Sequence, residues 1–158
     1  MQIKLIINGE NKNLSIEPGE HLLDVLRRNG YHGVKEGCRE GECGACVVLL
    51  NGKPVNSCIL FAARCDGAEI TTVEGLGSPD NLHPLQEAFL ESGAVQCGYC
   101  TPGMILSSKA LLDENPNPTE EEIRTALDGN LCRCTGYVKI IEAVKKASEK
   151  INANDQDS

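Results

Sequence analysis

The chain has no tryptophan, and two phenylalanines and three tyrosines are the only aromatic residues among its 158. Its core must therefore be aliphatic, without the large rings that anchor many interiors. Cations are also scarce, with 15 Lys and Arg against 23 Asp and Glu and a net charge of −8. No basic stripe is present, which argues against a nucleic-acid surface. No apolar run approaches the ~20 residues of a membrane span. The opening stretch Met1 to Ile7 is broken at once by Asn8-Gly9, too short for a secretion signal, and the expected location is cytoplasmic. Only three histidines occur, His21, His32 and His83, and all read as exposed or capping residues.

Cysteine and glycine are plentiful instead, at nine and sixteen. In a reducing compartment nine clustered cysteines are not a disulfide framework. An odd number in tight loops points to metal ligation with one thiol left over.

The chain changes character near residue 76. Ile3, Leu5 and Ile7 alternate before Asn8-Gly9, and Leu14 and Ile16 after it, which predicts a β-hairpin. Leu22, Leu23, Val25 and Leu26 then recur at helical spacing until Asn29-Gly30. Val47 to Leu50 and Val55 to Leu60 flank Asn51-Gly52-Lys53-Pro54 as a second hairpin, and Glu69 to Val73 is a last strand. Gly75-Leu76-Gly77-Ser78-Pro79 reads as a linker. Beyond it four helices are predicted, at Pro84 to Ser92, Pro102 to Glu114, Thr119 to Asp128 and Tyr137 to Ile151. Thr119 with Glu122 has the capping-box spacing. The expected division is an α+β domain over 1–75, a helical domain over 76–151 and a flexible tail over 152–158.

Cys38-Arg-Glu-Gly-Glu-Cys43-Gly-Ala-Cys46 has the spacing C-x4-C-x2-C, and Cys58 follows on the return strand. This is the plant-type [2Fe–2S] ferredoxin spacing. Gly37, Gly41 and Gly44 allow a wrap tight enough to aim backbone N–H groups at sulfur. A zinc site would take its thiolates as two short pairs, so the three-plus-one arrangement argues against it. The second set pairs Cys97-Gly-Tyr-Cys100 with Cys132-Arg-Cys134. By spacing alone it fits zinc or a cluster, and Cys97–Cys100 could also be a redox dithiol, although the βαβ context of such a dithiol is missing. No histidine lies in a cysteine loop, which removes a Rieske-type centre. Cys65 falls outside both sets and reads as a small buried apolar residue. Arg133, between two cysteines, could raise the potential of its site or be a simple exposed charge.

Three segments taken in order carry a family resemblance: Val34-Lys-Glu-Gly-Cys-Arg-Glu-Gly-Glu-Cys-Gly-Ala-Cys46, Gly93-Ala-Val-Gln-Cys-Gly-Tyr-Cys-Thr-Pro-Gly103 and Gly129-Asn-Leu-Cys-Arg-Cys-Thr-Gly-Tyr137. Over about residues 2–150 the chain resembles the small iron–sulfur subunit of the xanthine dehydrogenase and aldehyde oxidoreductase family of molybdenum hydroxylases. The resemblance implies an N-terminal β-grasp, plant-ferredoxin-like domain and a C-terminal four-helix [2Fe–2S]-binding domain. It implies two clusters, one on Cys38, Cys43, Cys46 and Cys58, the other on Cys97, Cys100, Cys132 and Cys134.

It further implies a molybdenum-binding large subunit and an FAD-binding medium subunit as partners. Electrons would pass from the molybdopterin centre through the helical-domain cluster, then the ferredoxin-like cluster, to flavin. Gln96 and Cys134 would lie against the pterin. The complex would hydroxylate a purine or another N-heterocycle, while this chain would carry electrons and no catalytic residue. The competing readings are a free-standing ferredoxin-type carrier and a structural zinc protein.

Overall fold

The computed structural model describes residues 1–157. Strand β1 (Gln2–Ile7) alternates exposed and buried residues and pairs antiparallel with β2 (Glu10–Ser15), placing Ile7 opposite Glu10. Asn8 and Gly9 both have positive φ, 52° and 81°, the two-residue turn whose twist matches a hairpin. Helix α1 (Leu22–Arg28) buries Leu22, Leu23, Val25 and Leu26 on that sheet. Strands β3 (Val47–Leu50), β4 (Lys53–Asn56) and β5 (Glu69–Thr71) complete it. The order is β2-β1-β5-β3-β4, with β1 and β5 parallel and every other pair antiparallel. This mixed sheet, crossed by one helix, is the expected α+β architecture.

Helices α2 (Pro84–Glu91), α3 (Thr101–Glu114), α4 (Glu120–Leu127) and α5 (Val138–Gln156) form the second half. Their core is Leu85, Phe89, Met104, Ile105, Ile123, Ile140 and Val144, aliphatic but for one ring. Both predicted capping features at α4 are present: Thr119 accepts from the Glu122 N–H, and Glu122 accepts from that of Thr119.

The halves share a third, smaller core. In β3, Val48 faces the first core, while Val47 and Leu49 point the other way onto Leu106 and Ala110 of α3, with Leu76 at the edge. This explains why Val47-Val-Leu-Leu50 reads as a continuous apolar run, since both faces of the strand are covered. Each large aliphatic chain there would lose roughly 1.5–3 kcal/mol on exposure, so the halves do not part freely.

Several boundaries differ from expectation. The second hairpin turns on Asn51-Gly52 alone, with φ 50° and 80°, and Lys53 and Pro54 already belong to β4. Pro54 is tolerated because β4 is an edge strand. The strand stops at Asn56, so Cys58 sits in a 3₁₀ turn, Ser57–Ile59, rather than on a strand. The cause is buried Ser57, whose hydroxyl donates to the Cys46 carbonyl at 2.7 Å and bends the chain back. Strand β5 ends at Thr71, and Val73–Gly75 forms another 3₁₀ turn.

Helix α5 runs to Gln156, so residues 152–156 are helical where a tail was expected. Asn152 fastens that stretch by donating to the Pro116 carbonyl at 3.1 Å and to Asn117 Oδ1 at 2.6 Å. Ser158 lies outside the described residues.

Candidate metal centres

The first centre is the loop between α1 and β3. Arg39, Gly41 and Gly44 take positive φ there, at 59°, 78° and 71°. Arg39 is held in that unfavourable conformation by ion pairs to Asp24 on α1 and to Glu36, both at 2.5 Å. The wrap turns three backbone donors onto one sulfur: Cys38 Sγ accepts from the N–H groups of Glu40, Glu42 and Cys43 at 3.3–3.4 Å. Those bonds, that of Glu40 first, bring the Cys38 thiol down to about 6. A thiolate is thus favoured before any metal is considered. A Cβ at Gly37 would collide with Cys43 Sγ and force that sulfur to shift.

Deeper in, Cys46 and Cys58 are buried. Burial, helped by the neighbouring Cys46 thiol, pushes Cys58 up to about 11. Such a thiol ionises when a bound metal supplies the positive charge its surroundings lack.

The second centre lies where two long helices begin. Cys100 is the N-cap residue of α3, and Tyr137 that of α5. Helix N-termini favour anionic sulfur. Cys97 Sγ is 3.6 Å from Cys134 Sγ across the two loops. Cys100 faces Cys132, and burial with that thiol beside it raises Cys100 to about 12. Burial opposes ionisation of Cys132 too, but the Thr135 hydroxyl and the N–H groups of Thr135 and Cys134 outweigh it, and the Cys132 thiol is lowered.

In both centres the thiols associate in pairs, Cys38 with Cys43 and Cys46 with Cys58, then Cys97 with Cys134 and Cys100 with Cys132. A two-iron cluster asks for a pair of ligands at each iron, and four thiols with inward N–H donors suit it. The donor chemistry therefore fits. The dithiol alternative is weakened, because Cys97 is paired with Cys134 rather than with Cys100. Beside this centre, Thr101 Oγ1 is the one buried side-chain oxygen among the described residues without a hydrogen-bond partner.

The two centres meet. A cavity of about 240 Å³ is lined by Cys38 and Cys43 from one side and Cys97, Cys100, Cys132 and Cys134 from the other. The Leu131 N–H donates to the Cys43 carbonyl at 2.9 Å, and the Tyr99 hydroxyl donates to the Glu36 carbonyl. Buried Asn130 donates to the Gly44 carbonyl at 3.2 Å and accepts from the Ser107 hydroxyl at 2.8 Å.

Matches with known proteins agree with this geometry. Residues 5–72 match the family described as 2Fe-2S iron-sulfur cluster binding domain, and residues 72–145 that described as [2Fe-2S] binding domain. The nicotinate dehydrogenase small FeS subunit of Eubacterium barkeri is 56% identical over 149 residues, covering 94% of this chain and 95% of its own. The chain belongs to the small iron–sulfur subunits of the molybdenum hydroxylases.

Within that family, the aldehyde oxidoreductase iron-sulfur-binding subunit PaoA of Escherichia coli K12 is 44% identical, covering 97% of this chain and 74% of its own. The solved aldehyde oxidoreductase from Desulfovibrio gigas superposes with a TM-score of 0.94 at 47% identity, matching 98% of this chain but only 17% of its own. Quinoline 2-oxidoreductase from Pseudomonas putida 86 gives 0.92 at 42% identity, with 97% and 96% covered. What is one segment of a long polypeptide in the first structure is thus a chain of similar length in the second.

Of the other residues singled out, Gln96 and Arg133 are exposed beside exposed Cys97 and Cys134. Cys65 is packed in the first core, where burial pushes its thiol up. His83 caps α2, His21 stacks on Phe61 with ring centroids 5.1 Å apart, and His32 is exposed. Sequence reasoning gave no role to Asn130 or Thr135, although both fall within the third motif, which was the available signal.

Proposed function

We propose that this chain is the electron-transfer subunit of a cytoplasmic molybdenum hydroxylase, with Cys38, Cys43, Cys46 and Cys58 holding one [2Fe–2S] cluster and Cys97, Cys100, Cys132 and Cys134 the other. When bound, the clusters supply one-electron carriers between molybdopterin on a large subunit and FAD on a medium subunit. The chain's own residues position and insulate. Backbone N–H groups offset the charge on Cys38, and the cysteine pairs supply two ligands to each iron. By the family resemblance, exposed Gln96 and Cys134 face the pterin, with the helical domain on the molybdenum side and the loop at Cys38 on the flavin side.

The observation that carries this reading is the Leu131 N–H to Cys43 carbonyl bond, which joins the two cysteine loops across one cavity. A carrier with one independent site would have no use for it. The substrate class is an N-heterocycle, supported by the resemblance to nicotinate and xanthine dehydrogenase subunits. The domains divide near residue 76.

Purification of the native assembly tests the proposal. It should contain four irons per copy of this chain, molybdopterin and FAD, and Cys97→Ser should remove only one of two reduced-cluster EPR signals. A chain that elutes alone, with neither molybdopterin nor flavin in any fraction containing it, would defeat the reading.

A further inference from the structure

The loop Cys132 to Tyr137 closes on itself through four hydrogen bonds. The Cys132 N–H donates to the Tyr137 hydroxyl oxygen at 2.8 Å, so this amide is turned away from sulfur. The Tyr137 N–H in turn donates to Thr135 Oγ1 at 3.2 Å, and Thr135 Oγ1 lies 3.1 Å from Cys132 Sγ. A threonine hydroxyl can donate or accept. Here Tyr137 engages it as an acceptor, which leaves its proton to be directed at Cys132 Sγ.

The Thr135 N–H reaches the same sulfur from 3.4 Å. The ring is closed by consecutive left-handed residues, Gly136 at φ 69° and Tyr137 at φ 71°. The left-handed turn at Gly136 brings the Tyr137 N–H back to Thr135, and Tyr137 itself sits in a conformation that tyrosine seldom adopts. At the first centre Cys38 is served by backbone donors alone. Only at the second does a side-chain hydroxyl replace one of them.

We propose that the Thr135 hydroxyl is a positioning residue that raises the reduction potential of the second [2Fe–2S] centre by donating to Cys132 Sγ. The inference rests on Cys132 being a ligand, as read above. Reduction adds negative charge, part of which falls on the ligand sulfurs. A donor aimed at one of them is therefore bound more strongly in the reduced state, and hydrogen bonds to sulfur are among the levers that set such potentials.

The test is a redox titration of the full chain isolated with its clusters, followed by EPR, in Thr135→Val, Thr135→Ala and Thr135→Ser. The second-centre signal is assigned as the one lost in Cys132→Ala. Thr135→Val and Thr135→Ala should lower its midpoint, by about a tenfold change in the reduced-to-oxidised ratio at fixed ambient potential, or ~59 mV for one electron. Thr135→Ser should restore it, and the first-centre signal should not move. An unmoved midpoint in both Val and Ala variants, an equal fall in the Ser variant, or a parallel shift of both signals would overturn the inference. So would loss of the second cluster from Val and Ala alike, which would make Thr135 a residue of retention rather than of potential. Iron-free wild-type chain would count against the two-cluster reading itself, not against Thr135.

Discussion

At Gly103 and Gly44 two backbones touch. A Cβ on Gly103 would press into the Gly44 carbonyl oxygen, and one on Gly44 would meet Gly129 and Asn130. Alanine inside a helix normally gains up to about 1 kcal/mol over glycine. Overpacking against backbone costs roughly 1–3 kcal/mol, so the loss should win. Gly103→Ala is expected to lower the thermal midpoint of the holo chain, and a raised midpoint would show that the contact relaxes freely. The ninth cysteine makes the opposite kind of prediction. Cys65 packs among Leu22, Leu26 and Ile70, so Cys65→Ala should keep all four irons, whereas Cys58→Ala should keep about two. Iron assay separates them.

At the scale of elements, α2 carries a pH dependence. Neutral His83 Nδ1 accepts the Leu85 N–H at 3.1 Å, and burial first, then nearby Lys109, holds the imidazole below its ordinary 6.5. Below pH 6.5 the unfolded chain therefore binds a proton that the folded one resists, and stability falls as pH drops through that window toward the folded value. Asparagine keeps the cap without titrating. Thermal unfolding of wild type and His83→Asn at pH 7 and pH 5 should show a shallower decline in the variant, and parallel declines would remove His83 from the account.

The same scale shows what could be read in advance. Helix ends were legible wherever caps or prolines set them, as at Thr119 and Pro84, because those signals are local. The first thiol set was legible from spacing and interleaved glycines. The pairing of Cys97 with Cys134 was not, since 36 residues and two helices lie between them. Nor was the 3₁₀ turn at Cys58, which depends on a buried hydroxyl finding the Cys46 carbonyl. Strand β3 looked continuous and apolar in the sequence, but nothing local could say that its second face belongs to α3.

Over the whole molecule, the halves are held by that apolar seam and by Asn130, whose amide spans Ser107 and Gly44. Truncating it leaves the Gly44 carbonyl and the Ser107 hydroxyl without their bonds, at a cost of about 1–3 kcal/mol. Asn130→Ala is expected to reduce stability by that order in chemical denaturation and to slow electron equilibration between the centres in rapid-mixing EPR. An unchanged rate would mean that the Leu131 to Cys43 and Tyr99 to Glu36 bonds keep the loops in register without it.

The strand with two covered faces also bears on how the protein is born. Val47 and Leu49 leave the ribosome well before Leu106 and Ala110, a delay on the order of seconds at ordinary synthesis rates. During that interval the N-terminal sheet presents bare hydrocarbon, and the Cys43 and Gly44 carbonyls lack Leu131 and Asn130. Maturation should therefore be post-translational. Nascent chains arrested before α3 should recruit chaperones and remain colourless, and iron should enter only after the last helices have been made.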